Sequence, residues 1–475
     1  MSHSLMISRR WLVSALACQL VLYSAVAGRS GDWLRFRGPQ GTGVSLDSQP
    51  TPVAWNDQKD LKWKLKLPGP GVSSPIVVGD KVFVTCWSGY GMNREDPGEQ
   101  LELVRHLLCV DRLHGGVIWS RDIEATLPED PYGGMFAEHG YASHTPVSDG
   151  ERVFVFFGKS GVLAFDVNGQ QLWRTSVGTE SDPNGWGSAA SPILYQDLLI
   201  VPATAESAAL VALDKATGEV RWKKEAEGFQ GTWGTPILVT VDQNRTELVI
   251  AVPGEVWGFA PETGKLLWYC ESIANNTQTS SAVAVGDVVY VVGARDGSTV
   301  AIRAGGAGDV SGTHIVWRGN EQAGIGTPLA HEGKLYWVNR GVAVCVDAAT
   351  GRRVFQARLG GASSGAIPSR ENSDRDANNS PPGRGRGGFG AGGRGGGGGM
   401  GGQDYSSPVA GDRQWYFVTR SGKVHVISLG DEFKELAVNQ FTDGGEFNAT
   451  PAISNGELFI RSTTHLYCVG PESRP

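Results

Sequence analysis

Eight near-copies of one short phrase constrain this chain more than any other feature. Ser73-Ser74-Pro75-Ile76-Val77 returns as His144-Thr145-Pro146-Val147, Ala190-Ser191-Pro192-Ile193 and Gly234-Thr235-Pro236-Ile237. It returns again as Ser280-Ser281-Ala282-Val283, Gly326-Thr327-Pro328-Leu329, Ser406-Ser407-Pro408-Val409 and Ala449-Thr450-Pro451-Ala452. The Pro positions (Ala282 in the fifth copy) are spaced 71, 46, 44, 46, 46, 80 and 43 residues apart. A period in this range signals a unit that cannot bury its apolar face alone and must stack on its neighbours.

Each copy continues alike. A tight turn such as Val78-Gly79-Asp80 precedes a β-branched run, Lys81-Val82-Phe83-Val84, and a second run closes on Asp, as in Leu210-Val211-Ala212-Leu213-Asp214. Ala216-Thr217-Gly218 then turns the chain into a run carrying Trp222. Alternation and β-branching indicate strands, and Asp with Thr-Gly supplies the turns. Four strands per repeat, eight times over, specify an all-β, eight-bladed β-propeller. The last copy stops after its third strand near Gly470, whereas Leu61–Leu67 alternates apolar residues with Lys ahead of the first copy. That N-terminal segment is expected as the outer strand of the last blade, closing the ring and hiding an edge.

Charge and composition remove other classes. Lys and Arg number 42 against 49 Asp and Glu, a formal charge of −7, so no basic field for nucleic acid exists. Arg9-Arg10, an apolar stretch from Trp11 to Tyr23 and Ala25-Val26-Ala27 read as a signal peptide over 1–27, with the propeller over 31–475. Sec and twin-arginine export both stay open, as does a lipoprotein at Cys18. No later segment is long and apolar enough to span a membrane. The chain is therefore expected in the periplasm or secreted, with an envelope or membrane-associated protein as its partner. Residues 361–404 form a Gly/Arg-rich insertion, read as a flexible loop because 14 of the 20 residues 383–402 are glycine.

Ala212-x-Asp214-x-x-Thr217-Gly218-x-x-x-Trp222, with Cys345-x-Asp347-x-x-Thr350-Gly351-x-x-x-Phe355, resembles the repeat of the pyrroloquinoline-quinone (PQQ)-type propellers. That family includes quinoprotein alcohol dehydrogenases and the BamB outer-membrane assembly factor. The opening Asp32-Trp33-x-x-Phe36-Arg37-Gly38-Pro39 is similar to the start of exported PQQ-like propellers. The resemblance implies that Trp63, Trp119, Trp173, Trp222, Trp268 and Trp317 dock between blades, each burying on the order of 1.5–3 kcal/mol or more of apolar surface.

It also raises a cofactor question. In the dehydrogenases of this family the quinone lies in the channel between a Trp and a vicinal disulfide, with Ca²⁺ on carboxylate and amide oxygens. This sequence has no Cys-Cys pair. Cys109, Cys345 and Cys468 each stand two residues before the Asp position of a different repeat and read as packing residues. Cys86 and Cys109 fall on neighbouring strands, where a disulfide stays open. The loops entering the inner strands carry Glu138, His139, Tyr141, His144, Trp186, Gln230, Trp233, Gln278, Tyr405, Glu446, Phe447 and Asn448 as candidate mouth residues. Trp186, Trp233, His139 and His144 are the candidates for a small-molecule or cofactor site. No catalytic residue or metal set is assigned. The function expected first is a non-catalytic, BamB-like scaffold with a role in outer-membrane protein assembly or elsewhere in the envelope. A PQQ- and Ca²⁺-dependent oxidoreductase or quinone-binding relic, and a polysaccharide-binding envelope protein, are the alternatives.

Overall fold

The computed structural model describes residues 31–56, 59–293, 298–360 and 403–471. The segment read as a signal peptide, with Cys18, and nearly all of the 361–404 insertion lie outside the described residues. Among the described residues the strands form eight sheets, seven of four strands and one of five, with no α-helix. Blades 1 to 7 occupy residues 76–124, 147–175, 193–225, 237–271, 283–319, 329–358 and 409–440. Blade 8 contains Ala452–Ser454, Glu457–Arg461 and His465–Val469. Leu61–Lys66 pairs antiparallel with His465–Val469 and completes it as the outer strand.

The repeat's turn and its tryptophan explain one another across blade boundaries. In blade 3 the Asp214 carboxylate accepts the amides of Ala216 and Thr217 at 2.9 and 3.0 Å, and Gly218 follows at φ 76°. A Cβ at Gly218 would stand 2.6 Å from the Trp173 ring of blade 2, whose Nε1 donates to Lys215 O at 3.2 Å. Trp63 meets Gly115, Trp119 meets Gly169, Trp222 meets Gly264 and Trp317 meets Gly351 in the same way. The glycine thus serves two ends, a left-handed turn and a flat seat for the previous blade's indole.

Trp268 departs from this pattern. Blade 5 lacks a Thr-Gly turn, and its 304–314 connection folds back over blade 4, where Gly308–Asp309 adds a parallel fifth strand beside Trp268 and Tyr269. Trp268 is fully buried between blades 4 and 5, and its Nε1 donates to the buried Glu247 at 2.8 Å instead of to a neighbouring turn.

The small position two residues before the Asp of the repeat (Gly470 in blade 8) lies directly across from the outer-strand aromatic. Cys109 faces Trp119, Ala164 faces Trp173, Ala212 faces Trp222, Cys345 faces Phe355 and Cys468 faces Trp63. These thiols are buried and free. The Cys86–Cys109 disulfide left open by the sequence does not form. Cys86 stands opposite His106 and Cys109 opposite Phe83, three residues apart in register. An odd offset on a strand places side chains on opposite faces. Cys86 packs toward blade 8 and Cys109 toward blade 2.

A strap of residues 31–56 crosses one face of the ring. Trp33 pairs with Val77 of blade 1, Leu34 O accepts the Ser148 amide of blade 2, and Ser45 N donates to Ala410 O of blade 7. Between them Arg37 is buried, its guanidinium donating to Thr327 O and Pro408 O at 3.1 and 3.3 Å and to Pro328 O. Burial without a carboxylate partner lowers its pKa to about 9. The Asp32–Pro39 motif is thus a staple between blades 1–2 and blades 6–7.

Candidate functional site

The recurring Ser or Thr of the repeat phrase builds the floor of the site. Ser74 N donates to Thr145 Oγ1 at 3.0 Å, Thr145 N to Ser191 Oγ at 3.0 Å, and Ser191 N to Thr235 Oγ1 at 2.9 Å. Thr235 N reaches Ser281 Oγ at 2.9 Å, Ser281 N reaches Thr327 Oγ1 at 3.0 Å, and Thr327 N reaches Ser407 Oγ at 2.9 Å. Ser407 N donates to Thr450 Oγ1 at 3.0 Å, and Thr450 N returns to Ser74 Oγ at 3.2 Å. The eight bonds close a circle, one per blade boundary, with Ser and Thr strictly alternating. The phrase was legible in the sequence as a period; that each hydroxyl caps the preceding blade's inner strand appears only when the ring is closed. All eight residues line a cavity of about 940 Å³ on the propeller axis.

Two residues before each floor position, on the same side of the strand, stands a second tier. Its members are Val72, Ser143, Ala189, Trp233, Thr279, Ile325, Tyr405 and Asn448, and all line the cavity. The floor obeys the repeat, whereas this tier does not. The strap passes on the other side of the floor, because it pairs with Val77, Ser148 and Ala410, three residues beyond the floor positions. Its Phe36 reaches the cavity wall.

Trp186 and Trp233 meet at the wall with ring centroids 5.0 Å apart and planes inclined by 33°. Trp233 Nε1 donates to Gly187 O at 2.7 Å, which fixes one indole to the loop carrying the other. His139 fixes that loop from the opposite side. Its Nε2 donates to Trp186 O at 2.6 Å, so Nδ1 is left to accept from Ser143 Oγ at 2.7 Å. Burial lowers its pKa. With both nitrogens engaged, His139 positions Trp186 and leaves no ring nitrogen free for a metal.

His144 lies outside the cavity wall, buried 4.3 Å from the Phe156 ring. Its Nε2 bonds Ser188 Oγ at 3.0 Å, and Ser188 donates to the buried Glu206. Burial lowers the His144 pKa to about 3 and raises that of Glu206 to about 7. Glu138 is on the wall and engaged: Arg94 stands 2.5 Å and Arg420 2.6 Å from its carboxylate, and Arg420 also holds Glu446 at 2.8 Å. Burial pushes the Glu138 pKa up, but Arg94 and Arg420 outweigh it and hold it low. This clasp ties the segment entering blade 2 to blade 7 across the mouth. That segment is further pinned by buried Arg105 on Glu129 at 2.8 Å and by Lys159 on Asp130 at 2.9 Å.

Of the other mouth candidates, Tyr405 and Asn448 join the wall. Tyr141 is absorbed in an aromatic cluster with Trp87, Tyr90 and Phe136, and Phe447 stacks on Phe441. Gln278 is buried on Ser280, and Gln230 is exposed away from the wall. Sequence reasoning passed over Thr279 and the Asn275–Asn276 rim, which carry no distinctive motif.

A family model described as "Outer membrane protein assembly factor BamB" matches residues 101–208 and 201–372, more than half of the chain. The chain belongs to this family of PQQ-like β-propellers. The polyvinylalcohol dehydrogenase of a Pseudomonas species is 24% identical over 255 residues, covering 44% of this chain and 35% of the relative. The chain thus spans about a third of the length of the curated relatives it matches. Among solved structures, quinohemoprotein alcohol dehydrogenase from Comamonas testosteroni superposes with a TM-score of 0.61 at 12% identity, over 95% of this chain and 82% of that one. BamB from Moraxella catarrhalis gives 0.54 at 10%, over 86% and 99%. At these identities the likeness is one of fold.

The described wall residues of this PQQ-like propeller do not fit a calcium-held quinone. Among the described wall residues there is no Asp or Cys, and their single carboxylate, Glu138, is taken up by two arginines. Among the described residues no three His, Cys, Asp or Glu side chains gather to hold a metal.

Proposed function

We propose that this chain is a non-catalytic binding module of the cell envelope, exported by the segment 1–27 and displayed as a rigid eight-bladed ring. The observation that carries this reading is the state of the titratable groups around the channel mouth. His139 spends both nitrogens on Ser143 and Trp186, Glu138 is held between two arginines, and His144 is buried beneath the wall. The one hydroxyl–imidazole pair among the described wall residues, Ser143 and His139, is taken up in holding the Trp186 loop. What remains is a cup built for contact, with the loops around it available to a protein partner. The match to the BamB family supports an envelope partner of this kind, and outer-membrane protein assembly is the role that match favours.

A quinone-dependent oxidoreductase is the second reading, favoured by the similarity to polyvinylalcohol dehydrogenases. Titration of the purified chain with PQQ and Ca²⁺, followed by absorbance and dye reduction with alcohols, separates the two. The binding module gives no turnover; saturable turnover overturns it.

A further inference from the structure

We infer that the axial cup recognises a neutral, hydroxyl-rich saccharide, stacked on the Trp186–Trp233 pair. This inference rests on the binding-module reading and names its ligand class.

The first argument is charge. Among the described wall residues only Glu138 and Arg340 carry formal charges. Glu138 is neutralised in place by Arg94 and Arg420, and Arg340 is exposed at the rim. A ligand bearing several charges finds no set of counter-charges in the cup. The second argument is unspent hydrogen-bonding capacity. Asn448 is 8% exposed; its Nδ2 is turned to Glu138 O, and its Oδ1 has no protein partner among the described residues. Tyr405 OH and Thr279 Oγ1, on the same tier, are likewise buried without a partner. Burial pushes the Tyr405 pKa up to about 12, so its hydroxyl keeps its proton. Below them, each floor hydroxyl accepts one amide hydrogen and donates to no described protein acceptor. The cup therefore offers neutral donors and acceptors in alternation, which matches the hydroxyls of a sugar, each both donor and acceptor.

The third argument is shape. Two half-buried indoles, held by Gly187 O and His139, present rigid apolar area at the wall. The C–H face of a pyranose supplies the flat apolar complement, edge-positive against the ring's negative face. At about 940 Å³ the cup is large for one sugar unit and lies at the upper end of the ~300–1,000 Å³ range of small-ligand sites, so the occupant is an oligosaccharide or a chain end.

The test is calorimetric and fluorescence titration of the purified chain with neutral gluco- and chito-oligosaccharides, with oligogalacturonates as charged counterparts and polyvinyl alcohol as an acyclic polyol. Expected are saturable binding of at least one neutral oligosaccharide with a change in tryptophan emission, and no binding of the oligogalacturonates. Tyr405→Phe, which removes one oxygen, should weaken that binding by about five- to ten-fold, and Trp233→Ala should abolish it. A Trp186→Phe variant with an unchanged melting temperature should retain part of it. Binding unaltered in Tyr405→Phe and Trp233→Ala, a preference for the charged oligomers, or binding of polyvinyl alcohol alone would overturn the saccharide assignment. Failure with every saccharide and no PQQ turnover removes the ligand class and leaves the binding-module reading standing. PQQ turnover removes that reading itself.

Discussion

Replacing Thr235 with valine tests whether the hydroxyl circle holds the blades together. Valine keeps the branched shape and deletes one oxygen, so the Ser191 amide loses the acceptor it reaches at 2.9 Å. Thr235 still donates its own amide to Ser281 Oγ. Ser191 is 3% exposed and Thr235 5%, so any water that takes the missing place must come from the cup that both residues line. An unsatisfied buried donor costs about 1–3 kcal/mol. With ~2.1 cal/mol/K of unfolding entropy per residue and roughly 400 ordered residues, that is a fall in Tm of about 1–4 °C. Thr145 and Thr327 lie on opposite sides of the circle and share no hydrogen-bond partner. The double variant Thr145→Val/Thr327→Val should therefore show roughly additive losses, a fall of about 2–7 °C by calorimetry. Amide exchange should quicken at Ser74 and Ser281, whose acceptors are removed, and not at Ser407. A double variant melting within 1 °C of the parent, with exchange at those two amides unchanged, would refute the reasoning.

Other consequences are open to measurement. Glu206 has its pKa raised by burial from 4.5 to about 7, so the folded state keeps a proton that the unfolded chain has released. Its contribution is full below the unfolded pKa and is lost as pH rises toward 7, by about 3 kcal/mol in all. The stability difference between Glu206→Gln and the parent should move in the variant's favour across that window, and a pH-independent difference would count against it. Gly218→Ala must seat a Cβ at φ 76° within 2.6 Å of Trp173, whereas Gly254→Ala, at φ 81°, meets nothing within 4 Å. Thermal unfolding should rank Gly218→Ala below Gly254→Ala by about 1–3 kcal/mol, the cost of forced packing. Cys86 and Cys109 should both alkylate in denaturant without prior reduction, and resist the reagent while folded, because burial pushes both thiols up to about 12.

The scaffold was readable because each of its instructions is local. Strand alternation, the Asp turn and the Thr-Gly step operate within a few residues, and repetition multiplied the signal until blade number and closure by Leu61–Lys66 followed. The site was legible only in part, for the opposite reason. Trp186, Trp233, His139, Tyr405 and Asn448 were named from their places before inner strands, yet nothing nearby says that His139 spends both nitrogens on Ser143 and Trp186. Nor does any motif mark His144 as buried beneath the wall. Trp268 shows the limit within the repeat: its spacing is regular, but the 304–314 connection supplies no seat and covers it instead.

Spacing within the chain thus determined a propeller of eight blades, the outer-strand aromatics and the hydroxyl that recurs in every copy. Tertiary structure decided which residues share the axis. A floor of eight hydroxyls and a wall of eight unlike side chains arise from the same strands, two residues apart. The floor repeats because every blade boundary must satisfy the same buried amide. The tier above serves no backbone amide common to every blade, so its residues are free to differ, and their combination exists only where eight distant segments converge.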